Sequence, residues 1–247
     1  MQVDAQLLVV PAIAALYLKD CFLLLERDQG VLVRGWTGRW RAGFGLHGWR
    51  LRQREPYVCH PLKPWEPVLR LRWDAAAAPK TASVLADAPP ELHLGPWVTS
   101  IWLLLFVAFP VAFYTHMSLD ILLAVLAELY AFILVTLVLV WRRRAALGLS
   151  GSQFGVLAFE VLACAPYAAN LVRRLSLHRQ VDEDLLSAST RLLDAPARAT
   201  VDAQCLVRID DDLDWIAEDS ARAQALRAAR PRFVAAADPA IETLERE

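Results

Sequence analysis

The chain has 247 residues, of which 56% are hydrophobic and 21% charged, and its mean hydropathy of +0.33 is high for a soluble protein. The 26 basic and 27 acidic residues nearly cancel, and the apolar residues are concentrated in segments with the charges between them. Four widely spaced cysteines, with no Cys-x-x-Cys pair and no histidine at zinc-finger spacing, argue against a metal site or a disulfide framework. We therefore expect an α-helical membrane protein with small soluble modules and no cofactor.

Residues 1–20 predict an N-terminal membrane helix, from about Val3 to Leu18. The segment has the length of a signal-peptide core, but it carries Asp4 in place of a basic leader, and no small-residue cleavage site follows. We expect it to be retained as a helix, which either crosses the bilayer or falls short of a full crossing.

Residues 21–74 predict a small antiparallel β module. Turn residues recur at short intervals, and apolar positions alternate with polar ones, as in strands that bury one face. The pattern predicts a meander of about five strands, over Cys21–Glu26, Val31–Trp36, Arg39–Phe44, Trp49–Arg54 and Val68–Trp73.

The outward positions of the later strands are basic, and the chain from Arg27 to Asp74 has ten basic against four acidic residues. Such a face could rest on anionic lipid headgroups, pair with an acidic protein surface, or simply be solvated. Binding to nucleic acid is not expected, since the aromatic residues are needed for the core of the sheet. The candidate lipid or acidic-partner contacts are Arg50, Arg52, Arg70 and Arg72.

A linker rich in proline and alanine, residues 75–96, precedes a predicted transmembrane helical hairpin at residues 97–144. Its two apolar runs, up to Tyr114 and from Ile121 to Val140, are separated only by the connector from Thr115 to Asp120. Each run approaches the roughly 20 residues that cross a hydrocarbon core.

Basic residues cluster in the β module, at Arg142–Arg144 and at Arg173–Arg174, but the hairpin connector has none. The positive-inside rule therefore predicts a multi-pass protein of a plasma membrane, the bacterial inner membrane, with the β module and the C-terminal tail in the cytoplasm.

Residues 152–178 predict a further helix with one polar stripe, interrupted or kinked at Pro166. A full crossing would carry Arg173 and Arg174 outside, against the positive-inside rule. The segment is therefore expected either to lie in the cytoplasmic interface, which charge favours, or to stand against the hairpin with its stripe turned inward.

Two carboxylates at membrane depth are candidate functional groups: Glu128, in the middle of the second hairpin helix, and Glu160, on the polar stripe. Because a charge in a bilayer is costly, each needs a partner such as Arg174 or His116. Pairing between helices or subunits is the favoured interpretation, and a proton path or a polar substrate site is the alternative.

Residues 179–247 form an acidic tail, with fifteen acidic and eight basic residues from Gln180 onward, and its pattern is helical. The predicted helix begins near Thr200 and ends at Pro231. Its apolar seam is expected to dock on another tail helix, on the β module or on a partner, through Leu206, Ile209, Leu213 and Ile216.

No phosphate loop, catalytic elbow or metal motif accompanies these segments, so no catalytic residue is assigned. The favoured function is a non-catalytic accessory, assembly or regulatory subunit that binds membrane lipids and a protein partner, or forms a homo-oligomer. The alternatives are a transporter or enzyme that uses Glu128, Glu160, His116 and the Cys59-His60 loop, and a sensor of anionic lipid.

Overall fold

The computed structural model describes residues 5–46, 48–49, 51, 54–75, 89–115, 117–179, 181 and 183–244. The chain is mostly helical with a small antiparallel sheet module, and it divides into two units. Unit 1 comprises Met1–Leu23, Tyr57–Val68 and Ala88–Gln180, and unit 2 comprises Leu24–Pro56, Leu69–Asp87 and Val181–Glu247.

Unit 1 contains the apolar helices. Helix α1, Ala5–Lys19, keeps Pro11 in its interior. One continuous helix, Pro90–Tyr114, consists of a 3-10 turn (Pro90–Leu94), α2 (Gly95–Leu103), a π-helical turn (Leu104–Ala108) and α3 (Phe109–Tyr114). Its start at Pro90 corrects the prediction that the linker continues to residue 96, because the prolines at 90 and 96 fit the first turns of helices.

Helix α4, Leu119–Arg142, returns beside the first hairpin helix, with the rings of Trp97 and Phe132 5.8 Å apart. Both hairpin helices are long and apolar enough to cross a membrane, although a buried core helix would pass the same test of length and composition. Only 28% of the most hydrophobic 18-residue stretch of the first helix, and 22% of that of the second, is buried within the protein. Most of this apolar surface therefore faces outward.

The predicted helix at 152–178 is three helices: α5 (Gly151–Ala163), α6 (Ala165–Ala169) and α7 (Leu171–His178). Ser150 and Gln153 form a capping box that starts α5. The break falls at Cys164, which has an extended backbone, one residue before α6 begins with Pro166 near its N-terminus. The interruption at Pro166 is thus confirmed, with a second break at Asn170 that the sequence pattern does not predict.

These three helices double back. Glu160 and Arg174 form an ion pair at 2.6 Å, whereas 14 residues of straight helix would separate their Cα atoms by about 21 Å. Helix α5 runs antiparallel to α4. Trp141, near the end of α4, contacts Phe154 near the start of α5, and Tyr130 donates a hydrogen bond to the carbonyl of Leu162 near the end of α5.

The return half is α7, and just beyond its end Arg179 lies 3.9 Å from Glu91 in the first turn of the first hairpin helix. The start of α5 and the end of α7 therefore lie at the same end of the hairpin. The segment doubles back instead of running as one helix, and its first part, α5, stands against the second hairpin helix. Its expected place in the cytoplasmic interface stays a prediction.

The module contains five strands: β1 (Phe22–Leu25), β2 (Gln29–Arg34), β3 (Trp40–Gly43), β4 (Glu55–Val58) and β5 (Val68–Arg72). They form two sheets, one ordered β3-β2-β5 and the other β1-β4, so the predicted single meander is wrong. The β2–β3 hairpin is antiparallel, with Leu32 opposite Ala42. The strand described as β4 begins at Glu55, and of the predicted strand at 49–54, residues 50, 52 and 53 lie outside the described residues.

In unit 2 the three-stranded sheet packs against tail helices. The core joins Leu32, Leu69, Leu71 and Trp73 to side chains of α8 (Leu185–Leu192), α9 (Ala195–Trp215) and α10 (Ala221–Leu244). Gly30 permits this approach, because a Cβ atom there would come within 2.5 Å of a methyl group of Leu185.

The tail helices differ from the predicted single helix. Asp194, rather than Thr200, caps α9, since its side chain accepts a hydrogen bond from the backbone N–H of Ala197. The helix ends at Trp215, and Pro231 lies inside α10 rather than ending a helix. The chain thus forms a helical hairpin, α9–α10, where one long helix was expected.

Candidate functional site

Arg173 lies at the centre of a buried polar cluster in unit 1. It is 1% exposed, and Leu171, Val172 and Leu175 of the same helix are also buried. Its Nη1 donates to Asn170 Oδ1 (2.8 Å) and lies 3.0 Å from Cys21 Sγ. These hydrogen-bond partners carry no formal charge, so the guanidinium is bound through dipoles, and its buried Nε has no hydrogen-bond partner among the described residues.

The other end of the guanidinium binds the proline-rich loop. Its Nη2 donates to the backbone carbonyls of His60 (2.5 Å) and Lys63 (2.8 Å). The side chain of Ser176, one turn along α7, accepts a hydrogen bond from the backbone N–H of Val68 at 2.8 Å. The loop between β4 and β5 is therefore fixed to α7 in its first half, at His60 and Lys63, and where it meets β5, at Val68.

The end of α1 is tied to the same cluster. The side-chain amide of Asn170 donates to the carbonyl of Tyr17 at 2.9 Å, and the backbone N–H of Cys59 donates to the carbonyl of Cys21 at 2.9 Å. Arg173 and Asn170 thus join three segments that are distant in sequence: the end of α1, the proline-rich loop, and the doubled-back helices at α6–α7. This arrangement fixes the position of backbone groups in all three segments.

Cys59 is buried, whereas the neighbouring His60 is exposed. Burial raises the pKa of the Cys59 thiol to about 11, with Arg173 acting against the shift, and burial likewise raises the pKa of Cys21. A thiol held protonated is a poor nucleophile. His60 Nδ1 accepts a hydrogen bond from the backbone N–H of Leu62 at 3.2 Å, and so closes a local turn.

A second cluster surrounds Arg174. Besides Glu160 it faces Asp20 at 3.8 Å, and its guanidinium lies 4.5 Å from the centre of the Tyr167 ring. The polar stripe predicted from the sequence is therefore folded onto itself. Burial raises the pKa of Asp20, while the positive charge of Arg174 lowers it.

Glu128 has a different environment from Glu160. Its side chain is exposed on the apolar helix α4, and within the described part of the chain it has no hydrogen bond and no ion pair. Much of α4 is exposed, and one set of its exposed positions shares a face with Glu128 and recurs every three or four residues, a spacing typical of a helix–helix seam. They are Ile121, Ala124, Ala131, Val135 and Val138.

Of the other predicted site residues, His116, Arg50 and Arg52 lie outside the described residues. Arg70 and Arg72 are exposed on β5, where they alternate with buried Leu69 and Leu71. Arg72 lies 3.8 Å from Asp28, a long and solvated contact.

The predicted docking seam of the tail packs inside unit 2. Ile209 is fully buried in the core, and Leu206, Leu213 and Ile216 are packed against it. The adjacent aspartates make ion pairs, with Arg27 2.9 Å from Asp212. Across the described residues no group of three or more possible metal ligands is found.

Sequence analysis missed the buried ion pair of Arg208 with Glu55. The two side chains meet at 2.5 Å, Arg208 also donates to the carbonyl of Gly45 at 2.9 Å, and its guanidinium stacks over Phe44. The only available signal was that Glu55 follows three arginines at alternate positions, 50, 52 and 54, and this pattern does not indicate burial. In comparisons with family models, curated proteins and solved structures, nothing matches this chain.

Proposed function

We propose that this chain is an integral membrane accessory subunit, which binds a larger membrane complex through the exposed face of α4 around Glu128. The partner on this face is a transmembrane helix that presents a hydrogen-bond donor or a cation to the carboxylate. The single observation that carries the proposal is an exposed, unpartnered glutamate near the middle of an apolar helix, within the described residues.

Membrane insertion is supported by where the apolar surface lies. Most of the hydrophobic stretch of each hairpin helix lies outside the protein core. Large aliphatic side chains such as Leu103, Leu123 and Val138 are about half exposed. A soluble domain would bury such a surface against other elements. A bilayer would accept it unchanged.

The doubled-back helices support one orientation. If both hairpin helices cross, Pro90 and Arg142 are on the same side, and the pairing of Arg179 with Glu91 returns α7 to that side. Both arginine clusters of unit 1, Arg142–Arg144 and Arg173–Arg174, then fit the positive-inside rule, with the connector outside. The conflict between hydropathy and charge at residues 152–178 thereby disappears. An inner-membrane location with a cytoplasmic tail is part of the proposal.

Glu128 lies near the middle of α4. It is the tenth of the 24 residues of α4, about 14 Å from the start of the helix, which is near the middle of a hydrocarbon core. A carboxylate facing lipid at that depth costs several kcal/mol on insertion scales, about 2.5–3.5 kcal/mol. Glu160 is paired with Arg174, so Glu128 is the group that a partner would satisfy.

The surface around Glu128 can admit a helix. Ala124, Ala127 and Ala131 are exposed beside the glutamate, and small residues let two membrane helices approach closely. A single polar residue within an apolar seam fixes the register of the helices that meet there. The tail seam, in contrast, is occupied by the core of unit 2, so we assign the partner surface to α4.

The test is purification from the native membrane with a C-terminal tag, followed by mass spectrometry of stoichiometric companions. We expect the wild-type chain to resist alkaline carbonate extraction and to carry a companion in fixed ratio. The Glu128→Leu variant should insert and fold normally but lose the companion. Leu134→Ala, on an exposed part of the same helix, is the matched control and should keep it.

Three outcomes would contradict the proposal: carbonate extraction of the wild-type chain, purification of the wild-type chain alone, or retention of the companion by Glu128→Leu. If the chain purifies alone and Glu128→Gln abolishes a transport or catalytic activity, the transporter or enzyme alternative would replace the subunit proposal. A cross-link from position 128 to the same position of a second copy would identify a homo-oligomer instead of a foreign partner.

A further inference from the structure

The segment between β3 and β4 projects three large apolar side chains into solvent. Leu46 is 53% exposed, Trp49 73% and Leu51 59%. We call this segment, residues 46–51, the apolar loop. Large exposed apolar groups grouped on one short segment usually mark a binding surface.

The described residues of the apolar loop, which are 46, 48, 49 and 51, are held by backbone hydrogen bonds. The backbone N–H of Leu46 donates to the carbonyl of Pro56 at 2.8 Å, and Leu51 and Arg54 exchange backbone hydrogen bonds at 2.8 and 3.0 Å. Gly48 takes a positive φ of 81°, which allows the tight turn. The loop therefore presents its side chains without a large entropic cost of ordering.

Its base is fixed by the buried ion pair of unit 2. Phe44 is in the core, and Gly45, which immediately precedes the loop, is bound through its carbonyl to Arg208. A Cβ atom at Gly45 would overlap Glu55, so the two strands are as close as a glycine allows. A surface held in this way by buried groups is suited to insertion or docking.

We propose that the apolar loop inserts into the headgroup region of an anionic membrane and anchors unit 2 to the bilayer. This inference rests on the membrane location proposed above. Tryptophan and leucine beside arginine are typical of segments that lie at a membrane interface. In the sequence, Arg50 and Arg52 alternate with Trp49 and Leu51, and Arg54 follows; Arg50 and Arg52 enter by sequence position alone.

Charge favours lipid over a protein partner. The chain from Arg27 to Asp74 has a net charge of +6, and anionic headgroups attract arginine near the surface. Trp215 provides an internal contrast: it is 77% exposed, but it ends α9 directly after a run of aspartates at 210–212 and 214. Anionic lipid would repel that end of the helix and attract the apolar loop.

The experiment uses the full chain in lipid vesicles with an environment-sensitive fluorophore at Leu46→Cys. Cys21, Cys59 and Cys205 are buried, so Cys164→Ser provides the labelling background. We expect nitroxide-labelled lipid headgroups to quench the probe, more strongly with phosphatidylglycerol than with phosphatidylcholine alone. High salt should weaken the quenching, since it screens charges near the surface.

Two further variants separate the causes. Trp49→Ser should remove most of the quenching of the probe, because the largest inserted side chain is gone, whereas Trp215→Ser should leave it unchanged. A probe at position 46 that stays open to aqueous iodide in vesicles overturns the proposal. So does a probe shielded from iodide but not quenched by lipid nitroxides, which would mean that protein covers the loop. Carbonate extraction of the same samples shows separately whether the chain is integrated, so failure of the loop and failure of the membrane proposal are distinguishable.

Discussion

Each unit is built around one buried arginine, and the two arginines are satisfied in opposite ways. Arg208, 5% exposed in unit 2, meets the carboxylate of Glu55 and the ring of Phe44. Arg173, 1% exposed in unit 1, meets backbone carbonyls, an amide and a thiol. A buried charge can thus be held by a single opposite charge or by several dipoles.

The difference matters for what each arginine organises. An ion pair fixes two side chains, so Arg208 joins α9 to the start of β4 and the base of the apolar loop. Carbonyl acceptors fix backbone, so Arg173 reinforces a proline-rich loop whose own backbone hydrogen bonds are two turn contacts, to the carbonyls of His60 and Lys63. The two sites should therefore fail differently when they are changed.

The largest effect is expected for Arg208→Met. Removal of one partner leaves Glu55 buried and unpaired, which costs about 3–5 kcal/mol of stability in unit 2. Hydrogen exchange of the strand and α9 amides measures this loss. The double variant Arg208→Met with Glu55→Leu should recover most of it, whereas Arg72→Met, an exposed arginine, should cost little. Equal losses in the single and double variants would refute the ion-pair explanation.

A somewhat smaller effect is expected for Arg173→Leu. The leucine fills the space but removes the guanidinium donor from the carbonyls of His60 and Lys63, which keep only their turn hydrogen bonds from the backbone N–H groups of Lys63 and Glu66. Each lost hydrogen bond from the charged donor costs about 1.5–3 kcal/mol. Water can enter and satisfy part of the loop, so we expect a total near 2–3 kcal/mol. Faster hydrogen exchange or proteolysis confined to residues 57–68 is the readout.

Arg173→Lys tests the role of dipoles more sharply. An ammonium ion keeps the charge but cannot reach both ends of the cluster as the planar guanidinium does, so the loop should loosen almost as much as with leucine. If the lysine variant behaves like the wild-type chain, charge rather than geometry holds the loop.

The sequence predicts some of these features because they repeat along the chain. The hairpin follows from two long apolar runs, the break near Pro166 from the chemistry of proline, and the two faces of β5 from strict alternation of leucine with arginine. Each of these features depends on residues close together in sequence, so the local pattern is sufficient to predict it.

Where the prediction was wrong or silent, contacts between distant segments decide. Trp49, Arg50, Leu51 and Arg52 alternate as a strand would, but the described apolar residues among them project into solvent. Glu160 and Arg174 fall on one stripe of a straight helix and also meet when the helix doubles back, so the pattern does not distinguish the two. Arg208 is buried by Glu55, 153 residues earlier, and no local periodicity reveals that.

A still smaller effect is expected for Glu160→Gln. The carboxylate is 40% exposed, so its close pair with Arg174 contributes at most about 1 kcal/mol. The measurement is the thermal midpoint of the detergent-solubilised chain. A large loss would show that this pair, rather than the Arg173 cluster, holds the doubled-back helices together.

The smallest effect, and one of opposite sign, is expected for Asp20→Asn, which removes the other carboxylate beside Arg174. Burial raises the pKa of Asp20, so the folded state holds the proton more tightly than the unfolded state does. The stability that this group contributes is therefore fully present below about pH 4, the ordinary pKa of aspartate, and is lost as the pH rises through the higher folded pKa. At neutral pH the asparagine variant should have an unchanged or slightly higher thermal midpoint, and its midpoint should depend less on pH in the acidic range. A loss at neutral pH as large as that of Glu160→Gln would mean that the attraction of Arg174 at 3.8 Å outweighs the cost of burying the charge.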